Sequence, residues 1–196
     1  AAGKNLIGAF HQPAGVLADV NALRTLPLRE LRNGLAECVK HALIRDASLL
    51  AFIEANVETL LAGQDGALAF DADVMAELIA RNVTIKSRIV SEDEREAGIR
   101  AHLNSGHTIG HAIETFVGYE TIRHGEAIAL GLIAENALAV RRGLLAESQA
   151  QHIRQVLEAL GLPTRQPGLE AEEVWRLMQY DKKARGGRVR IVLPDE

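Results

Sequence analysis

The sequence predicts a mainly α-helical, bundle-like domain with short β segments at both ends. Three observations lead there. Apolar residues recur at helical spacing through most of the chain from residue 28 to residue 180. One long stretch after His124, EAIALGLIAENALAVRRG, is apolar on nearly all sides, as expected of a helix at the centre of a bundle. Runs with strand character occur only near the termini, in residues 4–20 and in RVRIVLP.

In residues 4–20, KNLIGAFHQPAGVLADV, two apolar runs flank His11-Gln12-Pro13. This reads as two strands around a turn, because proline has no N–H to give a ladder. Two strands alone are marginal. Residues 1–24 are therefore expected to be a strip of another domain's sheet, and residues 25–196 the helical domain. From Leu28, LRELRNGLAECVKHALI aligns Leu28, Leu31, Leu35, Val39 and Leu43 on one stripe. Pro27 sits at the first turn, where its missing donor is harmless. Asp46-Ala47-Ser48 breaks this helix, and SLLAFIEANVETLLAG carries the next to Gly63. Asp71 is a candidate N-cap for the helix that follows, with Val74, Leu78, Val83 and Ile89 inward. After the acidic SEDEREAG, one helix is expected from about Arg100 to Val117, and the apolar helix follows His124. Residues 146–161 form another amphipathic helix, ending at Gly161-Leu162-Pro163, and EAEEVWRLMQY a last short one before the strand-like tail.

Composition narrows the class of function. With 47% apolar and 24% charged residues the chain has the balance of a soluble globular protein. A net charge of −4 argues against a nucleic-acid partner. No apolar run reaches the length of a membrane span. The single cysteine, Cys38, excludes an internal disulfide and suits a reducing cytoplasm. The chain opens without Met on an apolar run, and reads as a piece of something longer.

The chemistry concentrates in LNSGHTIGHAIE, residues 103–114, and in HGEA at 124–127. His107 and His111 are four residues apart and share one helix face. His124 returns after a glycine-containing break that lets the chain reverse. Two imidazoles on a helix plus a distant ligand is a recurrent way to build a metal site. On the first long helix Glu37, Lys40 and His41 stand within one turn; either Glu37 or His41 could complete the set, and spacing does not choose between them. Only five lysines stand against seventeen arginines. Lys40 and Lys86, with Arg100 and Asn104 flanking His107 on the expected helix, would suit an anionic, polyhydroxylated ligand.

These blocks together resemble the 3-dehydroquinate synthase family: RNGLAECVKHALI, SEDEREAGIRAHLNSGHTIGHAIE, HGEAIALG, DKKARGGRVRIVLP and, near the start, NLIGAFHQP. The likeness runs colinearly over nearly the whole chain. It implies the helical C-terminal domain of that fold. It also implies an NAD- and zinc-dependent lyase of the shikimate pathway, which turns 3-deoxy-D-arabino-heptulosonate 7-phosphate into 3-dehydroquinate and phosphate. Another divalent ion such as cobalt could replace zinc. Matched position by position, Glu37, His107 and His124 correspond to metal ligands. Lys40, Lys86, Arg100, Asn104 and His111 correspond to positions that bind or act on the substrate, and Glu96 to an acidic residue in the same site. Lys182 corresponds to a phosphate-side lysine, although Lys183 is not separable from it.

The resemblance further implies a cytoplasmic homodimer acting on a small sugar-acid phosphate. No glycine-rich phosphate-binding turn occurs in the chain; its only paired glycines are Gly186-Gly187. The NAD-binding half is thus expected to precede residue 1, and the chain alone to bind zinc without turning over. Two alternatives share some of these features. One is another sugar-phosphate cyclase or a metal-dependent polyol dehydrogenase of the same superfamily; the other is a non-catalytic helical module.

Overall fold

The computed structural model describes residues 14–64, 67–94, 98–183 and 189–195, and the architecture is helical throughout. A 3-10 segment, Val20–Thr25, leads into α1 (Leu28–Arg45), α2 (Ala47–Ala55) and the single turn α3 (Val57–Leu60). A two-residue ladder follows, β1 (Gly63–Gln64) against β2 (Ala67–Leu68), antiparallel. Then come α4 (Ala72–Glu92), a second 3-10 segment (Ile99–Asn104), α5 (His107–Val117), α6 (His124–Arg141), α7 (Glu147–Ala159) and α8 (Ala171–Lys183). Among the described residues no helix is long and apolar enough to cross a membrane.

Local chemistry explains most boundaries. Asp46 ends α1 and caps α2, its carboxylate accepting from the Leu49 amide at 3.0 Å. Asp71 caps α4 by accepting from the Asp73 and Val74 amides. Gly118 closes α5 with φ 96, a conformation that side chains resist.

Three expectations need correction. The strands near the ends do not form among the described residues: 14–18 and 189–195 join no ladder, the Arg190 carbonyl accepting instead from Thr108 Oγ1, and Val16 and Leu17 are exposed. Residues 4–13 lie outside the described residues. The histidine helix does not begin at Arg100. Ser105 is extended and Gly106 left-handed at φ 75, so α5 starts at His107 and the preceding turn winds as 3-10. Arg100 and Asn104 are therefore not on the helix that bears His107. On α4 the inward stripe is Met75, Leu78, Asn82, Ile85 and Ile89, while Val83 is half exposed.

The core has two parts. Leu35, Leu49, Ile53, Met75, Leu78 and Leu157 pack α1, α2, α4 and α7 together. Ile109, Ile113, Leu130, Val174 and Met178 join α5, α6 and α8. α6 serves both, with Ala129 and Ala139 in the first cluster and Ala127 and Leu130 in the second. It is the central helix, as its apolar sequence predicts.

Two glycines let the neighbouring backbones touch α6. A methyl group on Gly125 would strike the Asn33 backbone of α1. One on Gly131 would strike the Gly106 carbonyl and lie 3.0 Å from the Gly110 nitrogen. Gly131→Ala should therefore destabilise the fold by about 3 kcal/mol, the upper end for an overpacked core. Gly34→Ala, exposed on α1 with nothing within 4 Å of the new methyl, should be neutral or slightly stabilising. Chemical denaturation of the two variants checks this, and equal midpoints would contradict it.

Candidate metal centre

Three helices build one site, the middle of α1 meeting the N-terminal ends of α5 and α6. α1 presents Glu37 and, one turn on, Lys40. α5 presents His107 at its first position and His111 one turn later, and α6 presents His124 at its first position. The three imidazoles form a near-equilateral triangle with ring centroids 5.4, 5.2 and 5.6 Å apart. One nitrogen from each lies within 4.8 Å of the other two, close enough to share an ion.

Glu37 faces the same space. Its Oε1 lies 3.4 Å from Nε2 of His107 and 3.4 Å from Nε2 of His124. Both approaches are longer and less well aligned than hydrogen bonds, so Oε1 is a buried carboxylate oxygen with no hydrogen-bond partner among the described residues. Its other oxygen accepts from the Lys40 ammonium at 2.5 Å. Lys40 itself is buried.

The far nitrogens of the rings are held from behind. His107 Nδ1 donates to the Ser105 carbonyl at 3.0 Å, and His124 Nδ1 to Oε1 of Glu114 at 3.2 Å. A carbonyl and a carboxylate can only accept, so each Nδ1 carries a proton, and Nε2, facing Glu37, is the nitrogen each ring has to offer a metal. Electrostatics distinguish the two histidines. Burial opposes ionising Glu37, yet His124 and the Lys40 ammonium outweigh it and hold the carboxyl far below its ordinary range. Burial, helped by Lys40, pushes His107 down to about 4, leaving it neutral at physiological pH. The Glu37 carboxylate holds His124 above its ordinary value. One unsatisfied carboxylate oxygen and two imidazole nitrogens converge, a donor set that fits a divalent cation with a position left open.

The ligand-bearing ends are themselves anchored. Arg29 of α1 grips Glu126 with two hydrogen bonds, of 2.7 and 2.8 Å, and Glu126 in turn accepts from the Arg123 amide at the start of α6. The Gly125 amide donates to the Asn33 side chain of α1. On the other side Glu135 of α6, fully buried, accepts from the Gly106 amide at 2.6 Å and from Ser105 Oγ at 3.2 Å. It thereby ties down the turn that launches His107.

The remaining sequence-derived residues fall as follows. His111 is half exposed at the edge of the imidazole triangle, with Nε2 4.0 Å from Glu114. His41, the alternative to Glu37, turns away to a buried contact of Nδ1 with Oδ1 of Asn82 on α4, 2.9 Å long. Lys86 is exposed on α4, one turn beyond Asn82, near enough for its charge to help depress His41. Arg100 spends its guanidinium on the Glu94 carbonyl at 2.9 Å, and its amide donates to Asp93. Asn104 is exposed at the end of the 3-10 segment, and His102 beside it is exposed too. Glu96 lies outside the described residues. Lys182 and Lys183 fall in the last turn of α8, with their side chains outside what is described.

Sequence reasoning missed Glu114 and Glu135. For Glu135 the signal was present, a lone carboxylate among Ile128, Gly131, Leu132 and Ala139, and for Glu114 it was the shared helix face of His107 and His111. Burial pushes the Glu135 carboxyl up to about 7 against an ordinary 4.5. Between those values the folded state holds a proton the unfolded state has released, so stability gained at low pH is lost as pH rises towards 7. Glu135→Gln keeps an oxygen for the Gly106 amide and never ionises. It should be more stable than the parent at pH 8, by up to about 3 kcal/mol, with the advantage gone near pH 4.5. Denaturation across pH checks this; a pH-independent difference would contradict it.

Comparison with known proteins covers the whole stretch. Residues 34–184 match the family described as 3-dehydroquinate synthase C-terminal, and residues 1–33 that described as 3-dehydroquinate synthase N-terminal. The 3-dehydroquinate synthase of Halorhodospira halophila is 47% identical over 191 residues, 97% of this chain and 52% of that protein. That of a Synechococcus species is 44% identical over 192 residues, 98% of this chain and 50% of that protein. The chain thus spans about half the length of the curated relatives it matches. Among solved structures, 2-epi-5-epi-valiolone synthase from Streptomyces hygroscopicus, with NAD+ and Zn2+ bound, superposes with a TM-score of 0.83 at 28% identity, over 98% of this chain and 52% of that one. A 2-deoxy-scyllo-inosose synthase complexed with carbaglucose-6-phosphate, NAD+ and Co2+ gives 0.77 at 28% identity, over 92% and 48%.

Proposed function

This chain belongs to the 3-dehydroquinate synthase family, and from that premise we propose that it is the metal- and substrate-binding helical half of an enzyme that converts 3-deoxy-D-arabino-heptulosonate 7-phosphate into 3-dehydroquinate and phosphate. The observation that carries this reading is the unsatisfied Glu37 Oε1, facing the Nε2 atoms of His107 and His124 at 3.4 Å each. In this reading those three residues are the ligands of zinc or another divalent ion such as cobalt. Residues 1–24 belong to the nucleotide-binding half, and NAD is held mainly by the part of the relatives that this chain does not cover. The working protein is a cytoplasmic homodimer.

When bound, the metal supplies a Lewis acid that lowers the pKa of a substrate hydroxyl, and NAD takes up and returns the hydride. The chain's own residues do the rest. His107 and His124 bind through Nε2 because their Nδ1 protons are already engaged. Lys40 is fixed beside the ligands by Glu37 and offers positive charge to an anionic substrate. His111, half exposed one turn from His107, is placed to accept or return a proton at its ring nitrogen. Lys86, Arg100, Asn104 and Lys182 bind substrate, with Glu96 in the same site. Arg100 must release the Glu94 carbonyl to do so. Holding the substrate's carboxylate and phosphate ends fixes the reactive conformer, and orientation then supplies much of the rate.

Similarity to cyclases acting on other sugars keeps a second substrate class in view, but identity of 42–47% to 3-dehydroquinate synthases favours the first. Glu37→Gln and His107→Ala should each abolish stoichiometric zinc in the purified chain. In an enzyme that carries this chain they should lower kcat/KM by more than about a hundredfold. Metal analysis beside a phosphate-release assay checks both. A Glu37→Gln enzyme with full zinc and parental turnover would contradict the assignment.

A further inference from the structure

We infer that Glu114 is a positioning residue for the metal site, setting the tautomer and ring plane of His124 and strengthening it as a ligand; the inference rests on the proposed role of His124 Nε2. Glu114 is only 4% exposed, on the α5 face that also carries His107, Gly110 and His111. A carboxylate buried there is costly unless something compensates it. Among the described residues its ion-pair partners are two imidazoles and no lysine or arginine: His124 Nδ1 at 3.2 Å from Oε1 and His111 Nε2 at 4.0 Å from Oε2.

Its position explains the arrangement. Glu114 lies two turns along α5 from His107, where α5 runs beside the start of α6, so its side chain bridges the two helices that each contribute a histidine. Because a carboxylate only accepts, the His124 Nδ1 must keep its proton, so Nε2, toward Glu37, is the nitrogen left to bind a metal. The two histidines differ in what stands behind them. His107 is backed by a neutral peptide carbonyl, His124 by a full negative charge, which makes its ring the more electron-rich donor. The second oxygen lies 4.0 Å from His111 Nε2, so the same buried group also faces the proposed proton carrier.

Glu114→Gln tests this in the full chain, read by zinc affinity in competition with a chromophoric chelator. The parent should bind one zinc, and Glu114→Gln should bind it about ten- to a hundredfold more weakly. The metal-free variant should be no less stable than the parent, since a buried charge has gone. Glu114→Ala should weaken binding at least as much, and Glu114→Asp should recover part of the affinity. A parent that binds zinc beside a Glu114→Gln variant within twofold of it would overturn the inference and leave the ligand assignment standing. A parent that binds none would overturn the ligand assignment and this inference with it.

Discussion

Backbone contact between α6 and its two neighbours holds this structure's polar end together. Gly125 and Gly131 lie six residues apart, so they point about 120° apart around the helix. One receives the Asn33 turn of α1 and the other the Gly106 turn of α5. Helices that met through ordinary side chains would stand further apart. Glu37 is one turn beyond Asn33, His107 directly follows Gly106, and His124 directly precedes Gly125. The approach that removes two side chains from α6 thus brings three donors from three helices within a few ångströms.

Around that junction, charge is arranged so that each ionised or polar group has a definite neighbour. Lys40 neutralises one oxygen of Glu37 and leaves the other toward the imidazoles. Its charge also helps keep His107 unprotonated. Glu126, gripped by Arg29, fixes the start of α6, and Glu135 fixes the start of α5. Each anchoring contact runs between two of the three helices. The site is therefore held by the tertiary fold and not by any single helix.

Much of this was legible in the sequence. Periodicity located the helices, Asp71 announced the cap of α4, Asp46 marked the break after α1, and the uniformly apolar run after His124 identified the central helix. The histidine cluster marked the site. Spacing alone left Glu37 and His41 equivalent, because both stand one helical turn from something useful. The deciding contact, His41 with Asn82, lies across α1 and α4 and has no local signature. The break at Ser105-Gly106 was hidden because flanking residues continue a helical pattern. A side chain at Gly106 would crowd Ile128 and Leu132 of α6, a tertiary fit that the local sequence does not show. The tail at 189–193 looked like a strand because alternating apolar residues pack on one side there too. Val189 and Ile191 join the α5–α6–α8 cluster without a ladder. Glu114 and Glu135 drew no reading from the sequence, because their partners lie on other helices.

Two donor sets are close enough to hold a metal: Glu37 with His107 and His124, or the three imidazoles alone. X-ray absorption on the zinc-loaded chain distinguishes them directly. This account predicts two imidazole nitrogens and at least one carboxylate oxygen at about 2.0–2.2 Å, with the oxygen lost in Glu37→Gln. Three imidazoles around the ion, with a spectrum unchanged by Glu37→Gln and altered by His111→Ala, would contradict it.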